Sequence, residues 1–398
     1  MQATRRNFLT AAAAVTALSQ SKILGANDRI RIGGIGTGGR GTYLLSLVNK
    51  AGGAEIVALC DVYEPHVNAA KERVAPNAQT YADYRQLLQR NDIDAVVIGA
   101  PDHWHVPLLL AATDAGKDVY VEKPLTHSIG QGQTLLKQME GRKQVVQTGM
   151  QQRSWPLFKE GKQLVDDGEL GEIRMIETYW YQDYRPNGRP EQDVDTSKLD
   201  WKMWLGSAPD QPFNAERFHL WRWYWDFGGG AMTDLFTHWV DVAQWYMNND
   251  TPLTALTGGN RYTRPEWDCP DTISAYLTYP GHFAITYNGT LNSGISDGGL
   301  VFHGSKGLLK IDRSGYALYT SGGMVGSDKP PAKTGKSDHD GTLEHIQNFF
   351  ECVRAKNQGT NAPVTAGVAA ARASHLGNLS LRDNRMVRLD EVAGMVAV

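Results

Sequence analysis

Lys123 stands between Glu122 and Pro124, directly after Asp118–Val121, a short apolar run that predicts a strand. Open parallel sheets bind ligands at the carboxyl ends of their strands. A lysine ammonium placed there can hydrogen-bond a substrate hydroxyl and stabilise the alkoxide that develops on it. A second group lies far downstream, where Gly228-Gly229-Gly230 precedes Asp234, His238 and Asp241. Asp234 and His238 are spaced i,i+4, so they share one face of a helix predicted to begin near Gly230, and Asp241 adds a third polar position close to that face. A histidine beside a carboxylate can act as general acid or base near neutral pH. The same spacing also fits a core histidine merely held by Asp234.

The glycine-rich segment Gly36-Thr37-Gly38-Gly39-Arg40-Gly41 contains GxGxxG as Gly36, Gly38 and Gly41, with an overlapping match at Gly34, Gly36 and Gly39. It follows a strand predicted over Arg29–Ile35 and opens a helix predicted from about Thr42 to Lys50, the context that gives this motif meaning. Glycines let the backbone approach a pyrophosphate, and the helix N-terminus offers N–H donors. Asp61 ends the next predicted strand, Glu55–Cys60, and a carboxylate there can bind the adenosine ribose hydroxyls and repel a 2′-phosphate. Val62 and Tyr63 follow, with no Arg or Lys close behind. The expected cofactor is NAD in preference to NADP.

The elements that must hold these residues alternate up to about residue 150. Strands at Ala95–Gly99, Asp118–Val121 and Val145–Thr148 alternate with helices at Val67–Val74, Tyr84–Arg90, Pro107–Ala115 and Ile129–Glu140. Such βαβ alternation predicts an α/β fold, a parallel Rossmann sheet with helices on both faces, over residues 27–150. After Gln151 the texture changes. A helix over Pro156–Asp166 leads into strands at Ile173–Tyr181, Thr254–Tyr262, Thr272–Thr278, His282–Leu291, Gly299–Gly304, Gly307–Asp312 and Gly315–Tyr319. Helices follow at Thr342–Ala355 and Val368–Ser380. Strands in a block predict an α+β domain over residues 151–398 with a large, mostly antiparallel open sheet. Ser321–Lys336, rich in Gly, Ser, Lys and Pro, reads as a mobile loop.

Taken together, the fingerprint, Glu122-Lys123-Pro124, and the triple glycine followed by Asp234, His238 and Asp241 resemble the Gfo/Idh/MocA oxidoreductases, the family of glucose–fructose oxidoreductase and inositol dehydrogenase. The resemblance runs over nearly the whole chain after its first 26 residues. It implies that Lys123, Asp234 and His238 occupy catalytic positions and that hydride passes from a sugar or polyol carbon to nicotinamide. It also implies that Glu122 and Lys123 border the nicotinamide, and that the loop Pro101–His105 lines the cofactor, chiefly through Pro101 and His105. Gln151 and Arg153, after the last Rossmann strand, stand within reach of nicotinamide or sugar. Arg222, within Trp221-Arg222-Trp223-Tyr224-Trp225, and Tyr184, at a strand end, are candidates for the substrate. Trp201–Gly206 is similar to a segment of exported relatives and reads as structural. Histidines at i,i+2 in the loop His103–His105 are a poor metal set, so no metal is expected.

The remaining composition narrows the classes. With 398 residues, two or three domains are expected. Forty basic and 43 acidic residues leave a net charge of −3, with no Lys/Arg run to track a nucleic acid. Three cysteines without a CxxC pair argue against a disulfide framework or zinc knuckle. The 11 Trp and 16 Tyr, many between Trp155 and Trp245, suit either a carbohydrate-facing cleft or aromatic core packing. At the N-terminus, Arg5-Arg6-Asn7-Phe8-Leu9 precedes the apolar run Ala11–Leu18, which resembles a twin-arginine signal over residues 1–26 and predicts an exported, periplasmic protein. The run is too short to span a bilayer, and no other segment is long and apolar enough. A broad open sheet needs cover on its free face; the resemblance implies that a homodimer or homotetramer supplies it. The alternative activity within the family is redox-neutral glycoside hydrolysis: C3 oxidation, elimination, water addition and reduction. Its elimination needs a second base, for which His105 and Tyr184 stand as candidates. A sugar-binding protein that keeps the cofactor as a structural element is the non-enzymatic reading.

Overall fold

The computed structural model describes residues 29–184, 194–320 and 330–392. The predicted signal segment lies outside the described residues, as does Arg185, which the sequence offers beside Tyr181 and Tyr184 as a candidate at the end of the strand Ile173–Tyr181, and most of the expected loop over Ser321–Lys336.

The first sheet is built from β1 (Ile30–Ile35), β2 (Ala54–Cys60), β3 (Gln79–Tyr81), β4 (Ala95–Ile98), β5 (Asp118–Val121) and β6 (Val146–Thr148). Its order is β3-β2-β1-β4-β5-β6, with every pairing parallel. Every residue of β4 and β5 is buried, as expected of strands covered on both faces. The helices between the strands are α1 (Gly39–Ala51), α2 (Glu64–Val74), α3 (Tyr84–Leu88), α4 (His105–Asp114) and α5 (Ile129–Met139). Strand order reverses between β1 and β4, so a crevice opens at their carboxyl ends. Both segments that bear the site's glycines start there: Gly36 N donates to Cys60 O at 2.9 Å, and Gly99 N to Ile35 O at 2.9 Å.

After α6 (Pro156–Asp166), β7 (Ile173–Asp183) enters a second sheet. Short helices α7 (Trp201–Leu205) and α8 (Ala215–His219) follow, then a π-helical stretch, Met232–Phe236, that runs straight into α9 (Thr237–Met247). The sheet continues with β8 (Thr254–Asn260), β9 (Thr272–Tyr279), β10 (Phe283–Thr290), β11 (Asn292–Gly304), β12 (Gly307–Asp312), β13 (Gly315–Thr320) and β14 (Lys333–Lys336). Two long helices, α10 (Thr342–Ala355) and α11 (Val364–Asp383), precede the short strand β15 (Val387–Arg388). The order is β14-β13-β12-β11-β7-β10-β9-β8-β15. All its pairings are antiparallel except β7 with β10.

Side chains alternate across this sheet as strand geometry requires. Ile176, Leu277, Ile285, Tyr287, Leu300, Phe302 and Leu309 are buried with Trp239 and Leu376 of α9 and α11 in the largest core. Met175, Leu256 and Tyr276 are large apolar residues of the opposite face and stay 40–47% exposed.

Three features depart from the sequence expectation. Lys333–Lys336, placed in a loop, pairs with β13 as an edge strand. α7 and α8 are five residues each, too short to show a helical period. Finally, α10 returns to the first domain: Ile346, Phe349, Phe350 and Val353 pack with Leu44, Val48 and Tyr120 in the Rossmann core. No helix of the described residues is long and apolar enough to cross a membrane.

Candidate active site

A cavity of about 540 Å³ occupies the crevice, lined by Gly36, Gly38, Gly39, Arg40, Asp61 and Pro101 among others. Its glycines do different things. Gly36 has φ +78°, and a Cβ there would come 2.5 Å from Ala100 N. A Cβ on Gly41 would lie 1.9 Å from the Gly36 carbonyl oxygen, so this glycine serves the close approach of α1 to the strand end and does not line the cavity. A Cβ on Gly39 would meet no atom within 4 Å, so bare backbone faces open space at the start of α1. That cradle fits a pyrophosphate.

Thr37 also stands back from the cavity. Its N and Oγ1 donate to Asp61 Oδ2 at 2.7 and 3.2 Å, while Tyr63 N donates to Oδ1 at 3.0 Å. These bonds aim the carboxylate, and the remaining lone pairs are available to ribose hydroxyls.

A second cavity of about 250 Å³ shares Arg40, Gly99, Ala100, Arg222 and Asp234 with the first. Its lining includes Lys123, His238, Gln151, Glu122 and His105. Lys123, just past β5, donates from Nζ to Asp234 Oδ1 at 2.8 Å and to the Asp234 main-chain oxygen at 2.6 Å. Arg222 Nε adds a longer bond to the same Oδ1, at 3.3 Å. Burial would raise the Asp234 pKa, but Lys123 and Arg222 outweigh it and hold the carboxyl below its ordinary range.

His238 is enclosed, and burial, Lys123, Arg313 and Arg40 push its pKa well below the usual imidazole value. It is therefore neutral at pH 7, and its Nδ1 has no hydrogen-bond partner. Its ring stacks on Trp180 at 5.9 Å. Asp234 and His238 do line one cavity, as their spacing predicts. The carboxylate, however, turns to Lys123 and Arg222 instead of to the histidine.

Glu122 is buried beneath Arg40, accepting from Nε and Nη2 at 2.8 Å each. Burial opposes its ionisation, but Arg40 and Lys123 prevail and keep its pKa low. Gln151 lines the second cavity with an enclosed, partnerless Oε1. Tyr184 lines the first, its ring edge-on to Trp223 at 5.1 Å.

Two expectations need correction. Arg153 lines neither cavity: it grips buried Asp241 through Nε at 2.9 and 3.0 Å, and stacks over Trp245. Asp241 is thereby withdrawn from the catalytic face as well. The ring of His105 sits between two backbone carbonyls, Nδ1 at 2.6 Å from Pro124 O and Nε2 at 2.8 Å from Ala100 O. Burial lowers the ring's pKa, so one nitrogen donates to its carbonyl while the other merely faces one; with both turned to the main chain, His105 is poorly placed as a second base for elimination.

The loop before it locks onto α7, for His103 Nε2 and Trp104 Nε1 both reach the Trp204 carbonyl, at 3.0 and 2.8 Å. This explains the structural role of Trp201–Gly206, although Met203 and Trp204 also line the first cavity. Among the described residues no group of three or more His, Cys, Asp or Glu is placed to hold a metal ion.

Sequence reasoning gave Asp102 no role beyond its place in the loop Pro101–His105, and it missed Trp180 and Arg313 in the second cavity. Asp102 is fully enclosed, and burial, with Asp234 nearby, pushes its carboxyl well up. Arg313 sits in the tight turn between β12 and β13, which carries no motif.

Residues 30–150 match the model described as an oxidoreductase family with an NAD-binding Rossmann fold, and residues 158–310 match the Gfo/Idh/MocA C-terminal domain. The chain belongs to the Gfo/Idh/MocA family. Within this family, inositol 2-dehydrogenase of Salmonella typhimurium is 32% identical over 149 residues, 37% of this chain and 44% of that protein. A glycosyl hydrolase family 109 protein of Shewanella sp. strain ANA-3 is 31% identical across 157 aligned positions, covering 31% of this chain and 34% of its own. The matched stretch thus spans less than half the length of these curated relatives. Among solved structures, levoglucosan dehydrogenase in complex with NADH and L-sorbose superposes with a TM-score of 0.72 at 16% identity, covering 91% of this chain and 99% of that one. Myo-inositol 2-dehydrogenase from Lactobacillus plantarum gives 0.68 at 21% identity, covering 90% and 99%. These two show that the Gfo/Idh/MocA fold extends through both sheets of this chain.

Proposed function

We propose that this protein is an NAD-dependent oxidoreductase acting on a sugar or polyol hydroxyl. The observation that carries the reading is the Lys123–Asp234 pair beside neutral His238, at the carboxyl end of β5, in a cavity that shares its wall with the dinucleotide crevice. NAD, when bound, supplies the hydride acceptor. The neutral His238 ring, which lines the cavity, takes the hydroxyl proton. The Lys123 ammonium binds the same oxygen and stabilises its growing negative charge, while Asp234 and Arg222 fix where that ammonium points. Asp61 favours NAD over NADP, because a carboxylate at the ribose repels a 2′-phosphate.

A second reading, redox-neutral glycoside hydrolysis, is supported by the glycosyl hydrolase relatives. It would draw its second base from Tyr184, since His105 is turned to the main chain. We also infer export by the twin-arginine route, from Arg5 and Arg6, with cofactor carried tightly bound into the periplasm. A homodimer or homotetramer joined through the exposed face of Met175, Leu256 and Tyr276 completes the proposal. Protein purified without added nucleotide is mixed with sugars and polyols, and absorbance at 340 nm is followed with and without NAD. Growth at 340 nm supports the oxidoreductase. Release of nitrophenol from both anomers of a nitrophenyl glycoside, with no net NADH, replaces it with the hydrolase.

A further inference from the structure

Among the described residues, Arg313 is the cation of the second cavity with no ion-pair partner, for Asp340 and Asp234 act on it only from a distance. It leaves the turn between β12 and β13, which Asp312 pins by accepting from Ser314 N at 2.7 Å and from Gly315 N at 3.1 Å. Its guanidinium lies over Trp180 at 5.1 Å and over Trp239 at 5.6 Å. Those contacts use the face of the guanidinium. Hydrogen bonds use its edge, and there Nε and Nη2 are enclosed with no partner. Each other arginine of this cavity is paired, Arg40 with Glu122 and Arg222 with Asp234. Trp180 carries Arg313 on one side and is stacked with His238, so the guanidinium lies one ring away from the proposed proton acceptor.

The charges around the cavity point the same way. Arg40, Lys123, Arg222 and Arg313 face Glu122 and Asp234, and burial favours a protonated, uncharged Asp102. The cavity keeps an excess of positive charge. Burial and the neighbouring Arg40 lower the Arg313 pKa to about 10, which still leaves it charged at neutral pH. Arg313 is part-buried, and a cation partly withdrawn from water gains from a bound anion. The planar fork of a guanidinium edge matches a carboxylate, which can accept two parallel bonds.

We propose that the substrate is a sugar acid, a uronate or aldonate, whose carboxylate binds the Arg313 guanidinium where it lines the cavity and so orients the reacting hydroxyl between Lys123 and His238. This deepens the oxidoreductase reading of the same cavity and rests on it for the position of the reacting carbon. The bound carboxylate would also offset one of the cations that depress His238, making that histidine a better base where the proton is taken.

The test compares D-glucuronate and D-galacturonate with D-glucose, D-galactose and glucose 6-phosphate. Equilibrium binding is read by tryptophan fluorescence, and turnover by absorbance at 340 nm, for the full chain and for Arg313→Met and Arg313→Lys. NADH binding checks that each variant keeps its fold. The expected result is that uronates bind more tightly than neutral sugars. Arg313→Met should weaken uronate binding by about 10- to 100-fold, the loss of a charge-assisted bond, and leave neutral sugars within about threefold. Arg313→Lys should restore part of the loss. Equal binding of acids and neutral sugars overturns the inference, as does an equal effect of Arg313→Met on both. Tighter, Arg313-dependent binding of glucose 6-phosphate assigns the guanidinium to phosphate and overturns the carboxylate. The two readings fail separately. If neutral sugars reduce NAD while uronates neither bind nor react, the sugar-acid inference falls and the oxidoreductase stands. If uronates bind through Arg313 but no sugar reduces NAD, binding supports the inference and the oxidoreductase reading falls.

Discussion

Lys123 and Asp234 come from different domains, yet the lysine Nζ holds both the side-chain and main-chain oxygens of the aspartate, at 2.8 and 2.6 Å. The main-chain bond is made inside the π-helical stretch Met232–Phe236, a feature frequent at functional sites. The pair ties the end of β5 to the entry of α9 and orients the ammonium toward the shared cavity. Replacing Lys123 by Ala removes the proposed donor to the substrate oxygen. Turnover should fall by about 10²- to 10⁴-fold. NADH affinity should change by no more than a few-fold, because the fingerprint is untouched. Arg222 remains to compensate Asp234, so the variant should still fold. A Lys123→Ala enzyme with wild-type turnover would remove Lys123 from the chemistry.

The fingerprint glycines separate by what surrounds them. Gly41→Ala forces a methyl to within 1.9 Å of the Gly36 carbonyl, and only movement of α1 relieves it. A stability loss of roughly 2 kcal/mol or more is expected. Gly39→Ala meets no protein atom within 4 Å, so the melting temperature should hold or rise slightly. The added methyl instead enters the space assigned to the pyrophosphate, and NADH affinity should drop at least about tenfold. Equal melting losses in the two variants would contradict this division.

Much of this arrangement is readable from the residues alone. The strand–glycine–helix unit and Asp61 are local in sequence, so their geometry follows from neighbouring residues. Lys123 was legible because strand ends in parallel sheets have a defined function. The face shared by Asp234 and His238 was legible from spacing, although the π-stretch was not, since no residue type announces one. The fate of Arg153 depended on Asp241, 88 residues away, and only tertiary packing brings that pair together. Arg313 was hidden for a related reason. A charged residue in a two-residue hairpin turn normally faces solvent, and here the guanidinium instead turns back over Trp180 and Trp239 and is part-buried. The return of α10 to the first core likewise needed the three-dimensional path of the chain.

Asp61 should govern the choice of cofactor. Thr37 and Tyr63 fix its carboxylate, which leaves acceptor capacity for the two ribose hydroxyls. Asp61→Ser removes both the ribose acceptor and the charge that opposes a 2′-phosphate. NAD affinity should fall by about 10- to 100-fold and NADP affinity should rise, so that the ratio narrows sharply. Paired titrations of wild type and Asp61→Ser with NADH and NADPH read this directly. An unchanged ratio would move the discrimination elsewhere.

Stability should decline as pH falls from 7 toward 5, and buried histidines are the main reason. Burial lowers the pKa of His103, His345 and His375 to about 4, and also depresses His105, His127 and His238. Between the folded and unfolded values the unfolded chain binds more protons than the native one, so acid favours unfolding. The contribution is complete above pH 6.5 and is lost progressively below it. Asp102 and Asp241, whose carboxyls burial pushes up, work in the opposite direction over part of this range. His375 isolates the effect because it is remote from the reacting groups and spends Nε2 on the Thr126 carbonyl at 2.7 Å, a bond glutamine can replace. In His375→Gln the slope of unfolding free energy against pH, from urea titrations between pH 5 and 6.5, should be shallower than wild type by up to about 1.4 kcal/mol per pH unit, the work of one proton. Identical slopes would mean that His375 takes up its proton in the folded protein as readily as in the unfolded chain.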